Sequence, residues 1–387
     1  MKKNIEKRVV ILSHLWPKNP QSSNPLSGIY VYESVAEISK RAKTRVYVPL
    51  SLFPRLSEIK KIRFGFLKNL HERIIYSPEG GESLKYFSLI GKHFDSLAIA
   101  IAFLFRKRED YDIMHCHTMF PDGMAGMIIS SVTRKPFIVT IHGSEVMLID
   151  NRPVDKLLAK VILTKAKEVV SVSLMMKEKI LEITKNKAKV KVIRNGISEI
   201  FPMAEKKKII LFAGKLTKVK DPLMLIDSFE IFQRGKNGYS LVMAGDGELR
   251  SEVEKRIKEK NLTEKVFLIG YVDREKMKKL FSESSILAIT SLSEGFPTVI
   301  YESLSSGTPI VSFDVGGVKE AVFDGVNGFI VRERNPELFA EALLKAADAE
   351  WNREEMRKSA ENYTWDKIAD EIVRVYQRTQ MEKGTRY

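Results

Sequence analysis

The segment from Ser291 to Gly317 constrains the fold more than any other part of this chain. It reads SLSEGFPTVIYESLSSGTPIVSFDVGG and follows a short apolar run that is typical of a buried strand. Gly295 and Pro297 stand too close together for a helix interior, so Glu294 is predicted to lie in a loop. Glu302 falls in the first turn of the next helix, and a further strand follows. The order strand, loop, helix, strand predicts a parallel α/β sheet with both glutamates at its carboxyl-terminal edge, where such sheets bind ligands.

A pair of carboxylates at that edge suits the binding of a sugar. Vicinal hydroxyl groups donate hydrogen bonds to charged oxygens, and such bonds are stronger than neutral ones. The helix dipole also stabilises an acid in the first turn. Acids in first helical turns are common in α/β proteins, so the pair by itself leaves a purely structural role open. The longer pattern EGFPTVIYESLSSGTPIV is much more specific.

The first half of the chain offers two further candidates. A strand and a polar loop lead to Gly28 at the start of a helix, an order that can place helix amides near a phosphate, although a plain tight turn is the alternative. His142 and Gly143 follow the strand-like run 137–141. An imidazole there can donate to a sugar hydroxyl or exchange a proton near neutral pH. His115 and His117 alternate along another strand, and without a third ligand nearby they are predicted to be buried or site-lining rather than metal ligands.

The second half begins with an apolar strand that ends at Gly214. Lys215 and Lys220 follow in a short loop. Cations in such a loop can neutralise a diphosphate, although a solvated loop is the alternative. Gly245 and Asp246 follow another predicted strand.

Length and composition limit the organisation of the chain. With 387 residues, two domains are expected. The boundary is placed near residue 200, so that residues 1–200 and 201–364 form the domains and residues 365–387 a terminal helix that can return to the first domain. Residues 83–108 are predicted to form one helix. A single cysteine, Cys116, excludes an intrachain disulfide and fits a reducing compartment. No secretory signal or membrane-spanning run is predicted.

The charge is concentrated in the first half. Of the formal charge of +15, residues 1–200 hold all the excess, with 34 Lys and Arg against 19 Asp and Glu, whereas the remainder holds 30 of each. Such a half favours an anionic partner: a phospholipid surface, a phosphorylated acceptor or nucleic acid. No nucleic-acid-binding motif appears, so nucleic acid is not predicted. The run 60–73, KKIRFGFLKNLHER, could contact an anionic membrane or fill the domain core.

The sequence EGFPTVIYESLSSGTPIVSFDVGGVKEAVFDGVNGFIV is similar to the donor-binding signature of the family-4 glycosyltransferases. The resemblance covers nearly the whole chain and implies the GT-B fold, an α/β architecture of two doubly wound Rossmann-like domains that face a central cleft. It implies that Glu294 contacts the transferred sugar and that Glu302 holds the ribose of the nucleotide. The chain departs from the family pattern at Thr298 and Ser303, and it has Lys215 where an arginine is commoner.

The resemblance also assigns roles to the other candidates. Lys215 and Lys220 would hold the donor phosphates, and His142 would contact the donor sugar or organise the acceptor. Together with Glu294 these residues form the predicted catalytic set. The predicted donor-binding set is Gly28, Asn195, Lys215, Lys220, Gly245, Asp246, Tyr271, Glu294, Gly295, Phe296, Pro297, Thr298 and Glu302.

The predicted activity is the transfer of a sugar from a nucleotide-sugar to a hydroxyl acceptor, with retention of anomeric configuration and without a metal ion or other cofactor. A lipid-linked or membrane-borne acceptor is one option. A cytoplasmic location is expected, with peripheral association at the inner face of the cell membrane as an extension of it. A non-catalytic protein that binds nucleotides or carbohydrates is the alternative. A cofactor-dependent phosphorylase is disfavoured, because no element suggests a lysine that binds pyridoxal phosphate.

Overall fold

The computed structural model describes residues 5–16, 28–51, 82–86, 92–105, 110–147 and 149–381. The predicted membrane-contact run 60–73 lies outside these residues. The chain divides into two compact units, which are called here the first unit (residues 1–195 and 365–387) and the second unit (residues 196–364).

The first unit is built on a parallel sheet of seven strands in the order β3-β2-β1-β4-β5-β6-β7. Every residue of its central strands β4 and β5 is buried, as expected where helices cover both faces of a parallel sheet. The strands are β1 (Ile5–Leu12), β2 (Ala42–Ser51), β3 (Glu82–Tyr86), β4 (Ile113–Cys116), β5 (Phe137–Ile141), β6 (Glu168–Ser171) and β7 (Val190–Val192).

Helices precede or follow these strands in the alternation typical of a doubly wound fold. They are α1 (Ile29–Ser39), α2 (Lys92–Leu104), α3 (Met124–Thr133), α4 (Ser144–Met147), α5 (Pro153–Lys165) and α6 (Leu174–Thr184), with short helical turns at Met119–Gly123 and Ile149–Asn151. The prediction of one helix over residues 83–108 was wrong. Strand β3 occupies its beginning and pairs with β2, so strand pairing at the sheet edge prevails over the local pattern.

The second unit has a six-stranded parallel sheet in the order β10-β9-β8-β11-β12-β13. Its strands are β8 (Lys207–Ala213), β9 (Ser240–Ala244), β10 (Val266–Gly270), β11 (Ser284–Ile289), β12 (Ile310–Phe313) and β13 (Gly328–Val331). Its helices are α7 (Pro222–Gly235), α8 (Arg250–Glu259), α9 (Arg274–Glu283), α10 (Val299–Ser305), α11 (Pro336–Asp348) and α12 (Arg353–Glu361), with a short turn at Val318–Glu320. Buried aromatic and aliphatic side chains from α7, α11 and the strands form its core.

The last helix, α13 (Trp365–Met381), belongs to the first unit, where it packs against α1. The guanidinium of Arg41 is buried and donates to Asp366 at 2.7 Å and to Asp370 at 2.6 Å. The hydroxyl of Tyr376 lies 2.7 Å from Nδ1 of His115 on β4. Helix α13 is therefore part of the first unit's core rather than an appendage.

Within the described residues, every helix is too short or too polar to cross a lipid bilayer.

Candidate active site

Glu294 and Lys220 meet at the carboxyl-terminal edge of the second unit's sheet. Lys220 lies in the loop after β8 and donates to Oε1 of Glu294, which lies in the loop after β11. The Ser291 hydroxyl donates to the same oxygen at 2.5 Å. The Glu294 side chain is 11% exposed and that of Lys220 is 30% exposed, so both side chains are mostly covered but still accessible from solvent. Two of the predicted site residues, Lys220 and Glu294, thus lie together at one edge of the sheet.

Arg334 connects these two loops through hydrogen bonds. Its guanidinium donates to Asp221 at 2.7 Å and to the main-chain oxygens of Thr290 and Ser291 at 2.9 and 3.0 Å. The Thr290 hydroxyl in turn donates to the main-chain oxygen of Lys220 at 3.0 Å. Sequence analysis did not select Arg334, because it lies after β13 and follows no ligand-binding pattern. Its hydrogen bonds fix the positions of the two loops that carry Lys220 and Glu294.

The loop that carries Glu294 also packs closely on the turn after β12. The amide of Gly317 donates to the main-chain oxygen of Gly295 at 3.2 Å. Gly316 has φ +58°, and a Cβ atom there would lie 2.0 Å from the main-chain oxygen of Glu294. Only glycine meets both conditions, since it alone adopts positive φ at little cost and leaves room for a neighbouring backbone.

The residues after Glu294 support the loop more than they face solvent. Phe296 and Pro297 are buried, and the Phe296 ring stacks on Tyr301 of α10 at 5.2 Å between centroids. Thr298 caps α10, and its main-chain oxygen accepts from the amide of Glu302 at 3.3 Å. Glu302 is half-buried in the first turn of α10, as predicted, so both glutamates lie on the same strand-loop-helix element.

The neighbouring strand ends bring further predicted residues to the same edge. Gly245 follows β9, and a Cβ atom there would lie 1.9 Å from the main-chain oxygen of Gly214, directly before the exposed Lys215. Asp246 accepts from the amide of Gly247 at 2.7 Å and from Arg250 at 3.4 Å. The Tyr271 hydroxyl after β10 donates to the Asp246 main-chain oxygen at 3.4 Å. The ends of four adjacent strands, β10, β9, β8 and β11, therefore carry predicted donor-binding residues of the second unit in one row.

His142 lies at the corresponding edge of the first unit. Its ring stacks on that of His117 with 5.6 Å between centroids, and the two facing nitrogens are 3.3 Å apart. His117 packs in turn on His115, whose Nε2 lies 2.7 Å from the Thr140 hydroxyl. Burial, followed by the neighbouring imidazole, holds the pKa of His142 and that of His117 well below the ordinary value. The row of imidazoles is thus neutral at pH 7, and His142 can donate or accept a hydrogen bond without carrying charge.

Two residues predicted to bind donor stand in the first unit with His142. Asn195 is buried and lines a small cavity together with His117 and His142. Gly28 precedes α1 with φ +80°, and a Cβ atom there would lie 2.5 Å from the main-chain oxygen of Leu15. The close contact by itself explains why residue 28 is a glycine, whether or not a phosphate binds there.

A second polar cluster at this edge escaped sequence analysis. Asp122 is fully buried, and one of its oxygens lies 2.9 Å from Nδ1 of His14, whose side chain is 34% exposed. Glu145 accepts from the amide of Met119 at 2.7 Å, and burial raises the pKa of its carboxyl to about 7. Burial and the charges of Glu145 and Asp122 raise the pKa of Tyr30. The available signal was that His14, Asp122 and Glu145 each follow a strand, but they are too far apart in sequence to form a motif.

In the part of the chain that the structure describes, no three His, Cys, Asp or Glu side chains come together in a way that could hold a metal ion.

Two family models match this chain in succession. One, described as glycosyltransferase family 4, matches residues 66–199, and the other, described as glycosyl transferases group 1, matches residues 194–363. The chain belongs to glycosyltransferase family 4. The resemblance in the sequence is confirmed, and a family of enzymes is favoured over the alternative of a non-catalytic binding protein.

Individual relatives of this family-4 glycosyltransferase agree with the assignment. An uncharacterized glycosyltransferase of Methanocaldococcus jannaschii is 28% identical over 278 residues, which cover 70% of this chain and 76% of the relative. A Campylobacter jejuni enzyme, named as an N-acetylgalactosaminyltransferase acting on an undecaprenol-diphosphate-linked saccharide, is 32% identical over 168 residues, covering 43% of this chain and 45% of its own.

The fold prediction is also confirmed. The structure of the Anabaena protein HepE in complex with UDP and glucose superposes with a TM-score of 0.72 at 17% identity, covering 96% of this chain and 100% of HepE. This glycosyltransferase therefore has the GT-B fold of two Rossmann-like units.

Proposed function

We propose that this glycosyltransferase transfers a sugar from a nucleotide-sugar to a hydroxyl of a lipid-linked or membrane-borne acceptor, with retention of anomeric configuration and without a metal ion. The contact between Lys220 and Glu294 at the edge of the second unit's sheet carries this proposal. It joins a cation suited to a diphosphate with a carboxylate suited to sugar hydroxyls, at the end of a strand row where α/β sheets bind nucleotides.

In this proposal, different residues of the second unit bind different parts of the donor. Lys215 and Lys220 hold the diphosphate, Glu294 accepts from hydroxyls of the sugar, and Glu302 accepts from those of the ribose. Gly245, Asp246 and Tyr271 line the place of the base. Before the donor binds, the Lys220 ammonium and the Glu294 carboxylate neutralise each other. On binding, the Lys220 ammonium pairs with a phosphate oxygen of the donor, and the Glu294 carboxylate accepts hydrogen bonds from the sugar hydroxyls.

During transfer, the bond between the anomeric carbon and the diphosphate oxygen breaks while the acceptor oxygen bonds to that carbon. The acceptor proton passes to the leaving diphosphate, whose developing charge Lys215 and Lys220 stabilise without a divalent cation. His142, held neutral, positions a hydroxyl by hydrogen bonding. The name of the Campylobacter relative supports a lipid-linked acceptor, and the UDP and glucose bound to HepE make UDP-sugars the first donors to test.

The decisive experiment measures nucleotide release from UDP-, GDP- and ADP-sugars by wild type, Glu294→Gln, Lys220→Ala and Lys218→Ala. Lys218 is an exposed lysine of the same loop and is the matched control. We expect turnover to fall by roughly 10²- to 10³-fold in the first two variants, as when an enzyme loses a charge-stabilising group, and to stay within about twofold in the third.

Turnover that is unchanged by Glu294→Gln, or absent with every donor, contradicts the proposal. Proton NMR of the product reports the anomeric configuration, and an inverted product contradicts retention. Activity abolished by EDTA and restored by a divalent cation contradicts metal independence.

A further inference from the structure

Helix α2 leaves a stripe of large apolar side chains in solvent. Phe94, Leu97, Ile101 and the adjoining Phe105 recur at intervals of three and four residues and are between 45% and 87% exposed. The opposite side of the helix is buried against the unit, with Ile99 and Ala100 fully covered. A stripe of this kind is unusual on a helix that faces only water, because apolar residues normally occupy the covered side.

Helix α5 carries a second stripe that begins beside the first. Val154, Leu157 and Val161 are between 38% and 64% exposed. Asp155 joins the two helix starts, since one carboxylate oxygen contacts Lys92 and the other lies 2.9 Å from Nε2 of His93. We call these seven side chains, Phe94, Leu97, Ile101, Phe105, Val154, Leu157 and Val161, the exposed apolar face.

Helix α5 places mostly positive charges beside this face, and Asp150 pairs with one of them, Lys156, at 2.7 Å. Helix α5 and its capping residue carry Arg152, Lys156, Lys160 and Lys165 against a single acid, the buried Asp155. The first unit as a whole holds 39 Lys and Arg against 22 Asp and Glu, whereas the second unit holds 25 against 27. An apolar surface flanked by lysines fits an anionic lipid surface, because apolar groups enter the acyl boundary while ammonium groups pair with phosphates.

The exposed apolar face also starts next to the polar cluster of the first unit. The ring of Phe120 packs edge-on against His93 at 5.1 Å, and the Lys92 ammonium lies 4.8 Å from its centroid. The residue before Phe120, Met119, donates its amide to Glu145. Phe120 therefore contacts the start of the face with its ring and Glu145 with its main chain, at the edge of the sheet where His142 lies.

From these observations we infer that α2 and α5 of the first unit dock on an anionic membrane surface through the exposed apolar face. A lipid-linked acceptor that stays anchored in that membrane then presents its head group close to His14, Glu145 and His142. The inference rests on the proposed function for the nature of the acceptor, but not for the docking itself.

The test is flotation of the full-length protein with vesicles of neutral phosphatidylcholine or of phosphatidylcholine with 30% phosphatidylglycerol, at about 0.1 M and 0.5 M salt. The apolar variant combines Leu97→Ser, Ile101→Ser and Phe105→Ser. Its matched control combines Val219→Ser, Phe267→Ser and Val326→Ser, which are exposed apolar residues of the second unit. The charge variant combines Lys156→Glu and Lys160→Glu, with Lys255→Glu and Lys258→Glu on α8 as its control.

We expect the wild type to bind anionic vesicles, and we expect its partition coefficient to fall at least tenfold at the higher salt concentration. At the lower salt concentration, the partition coefficients of the apolar and charge variants should each be at least tenfold below that of the wild type. Those of the two controls should differ from it by less than twofold. The inference is overturned if the wild type does not bind vesicles, or if it binds neutral and anionic vesicles equally well. It is also overturned if the apolar variant binds anionic vesicles as strongly as the wild type. Gel filtration showing a wild-type dimer that the apolar variant breaks assigns the face to a second copy of the chain and also overturns it.

Turnover of the donor with water is measured on the same samples. If turnover persists while vesicle binding is absent, only the docking inference fails. If vesicles bind but no donor is turned over, the proposed function fails and the docking inference stands.

Discussion

At the scale of single residues, Gly316 determines where Glu294 can lie. Gly325 provides a close comparison, because it also has a left-handed backbone, with φ +73°, but no atom within 4 Å of its missing Cβ. Replacing either glycine by alanine introduces the same kind of backbone strain, whereas only the change at Gly316 pushes a methyl group into the Glu294 backbone.

We therefore predict that Gly316→Ala lowers donor turnover by more than tenfold and unfolds at a lower temperature than Gly325→Ala. Gly325→Ala should cost only about 1 kcal/mol and leave turnover nearly unchanged. Turnover assays and thermal melts of the two variants check this. Equal loss of turnover in both would mean that backbone strain, rather than the contact with Glu294, is responsible.

Glu145 gives a prediction about pH. Its pKa is raised to about 7 in the folded protein and returns to about 4.5 on unfolding, so the unfolded chain releases this proton first as pH rises. The carboxyl therefore destabilises the fold increasingly between pH 4.5 and 7 and to a constant extent above pH 7.

Glu145→Gln removes this titration and keeps the hydrogen-bonding shape. We predict that the variant matches wild type near pH 4.5 and exceeds its free energy of unfolding by on the order of 3 kcal/mol at pH 8. Urea denaturation at several pH values measures the difference. A difference that does not grow with pH would show that Glu145 is ionised in the folded state.

At the scale of elements, the buried guanidinium of Arg41, directly after α1, joins this part of the chain to α13. Arg41 also donates to main-chain oxygens of Glu37 and Asp366, at 2.7 and 2.8 Å, so several acceptors lose their donor if it is removed. Asp366 and Asp370 are about half exposed and can regain water. The loss should therefore be smaller than for a fully buried ion pair.

We predict that Arg41→Met destabilises the first unit by about 2 kcal/mol, whereas Arg374→Met, at an exposed arginine of α13, changes stability by less than about 0.5 kcal/mol. Chemical denaturation followed by Trp365 fluorescence can compare them, since Trp365 donates to Glu33 of α1 at 2.9 Å. Equal free energies of unfolding for the two variants would mean that the buried Arg41 contributes no more to stability than the exposed Arg374.

At the scale of the whole molecule, the chain builds its first unit from two separated segments. Trp365, Ile368, Ile372 and Tyr376 of α13 are all buried. A chain that stops at Thr364 would leave the apolar surface beneath them exposed, whereas the second unit, residues 196–364, would lose none of its own residues.

We predict that truncation after Thr364 unfolds or aggregates the first unit, because the buried apolar area of a whole helix is lost at once. The second unit should keep its cooperative transition and its affinity for the nucleotide. Calorimetry and nucleotide titration of the truncated protein test this. A truncated protein that keeps both transitions would mean that α13 contributes little to the first unit.

Those features that are local in the chain could be predicted from the sequence. Glu294 and Glu302 stand within one strand-loop-helix segment, and Lys215 and Lys220 directly follow a strand. Apolar periodicity and turn residues therefore predicted both the α/β fold and the sheet edge that carries these side chains. The family motif then identified a glycosyltransferase.

The tertiary structure alone decided which strand ends become neighbours. Lys220 and Glu294 meet because β8 and β11 are adjacent, although they are 74 positions apart, and His14 meets Asp122 because β1 adjoins β4. The buried polar cluster with Glu145, the clamp of Arg334 and the exposed apolar face likewise arise from packing. Periodicity specifies which side of an element is covered, but strand order depends on long-range packing and hydrogen bonding that no short stretch of sequence contains.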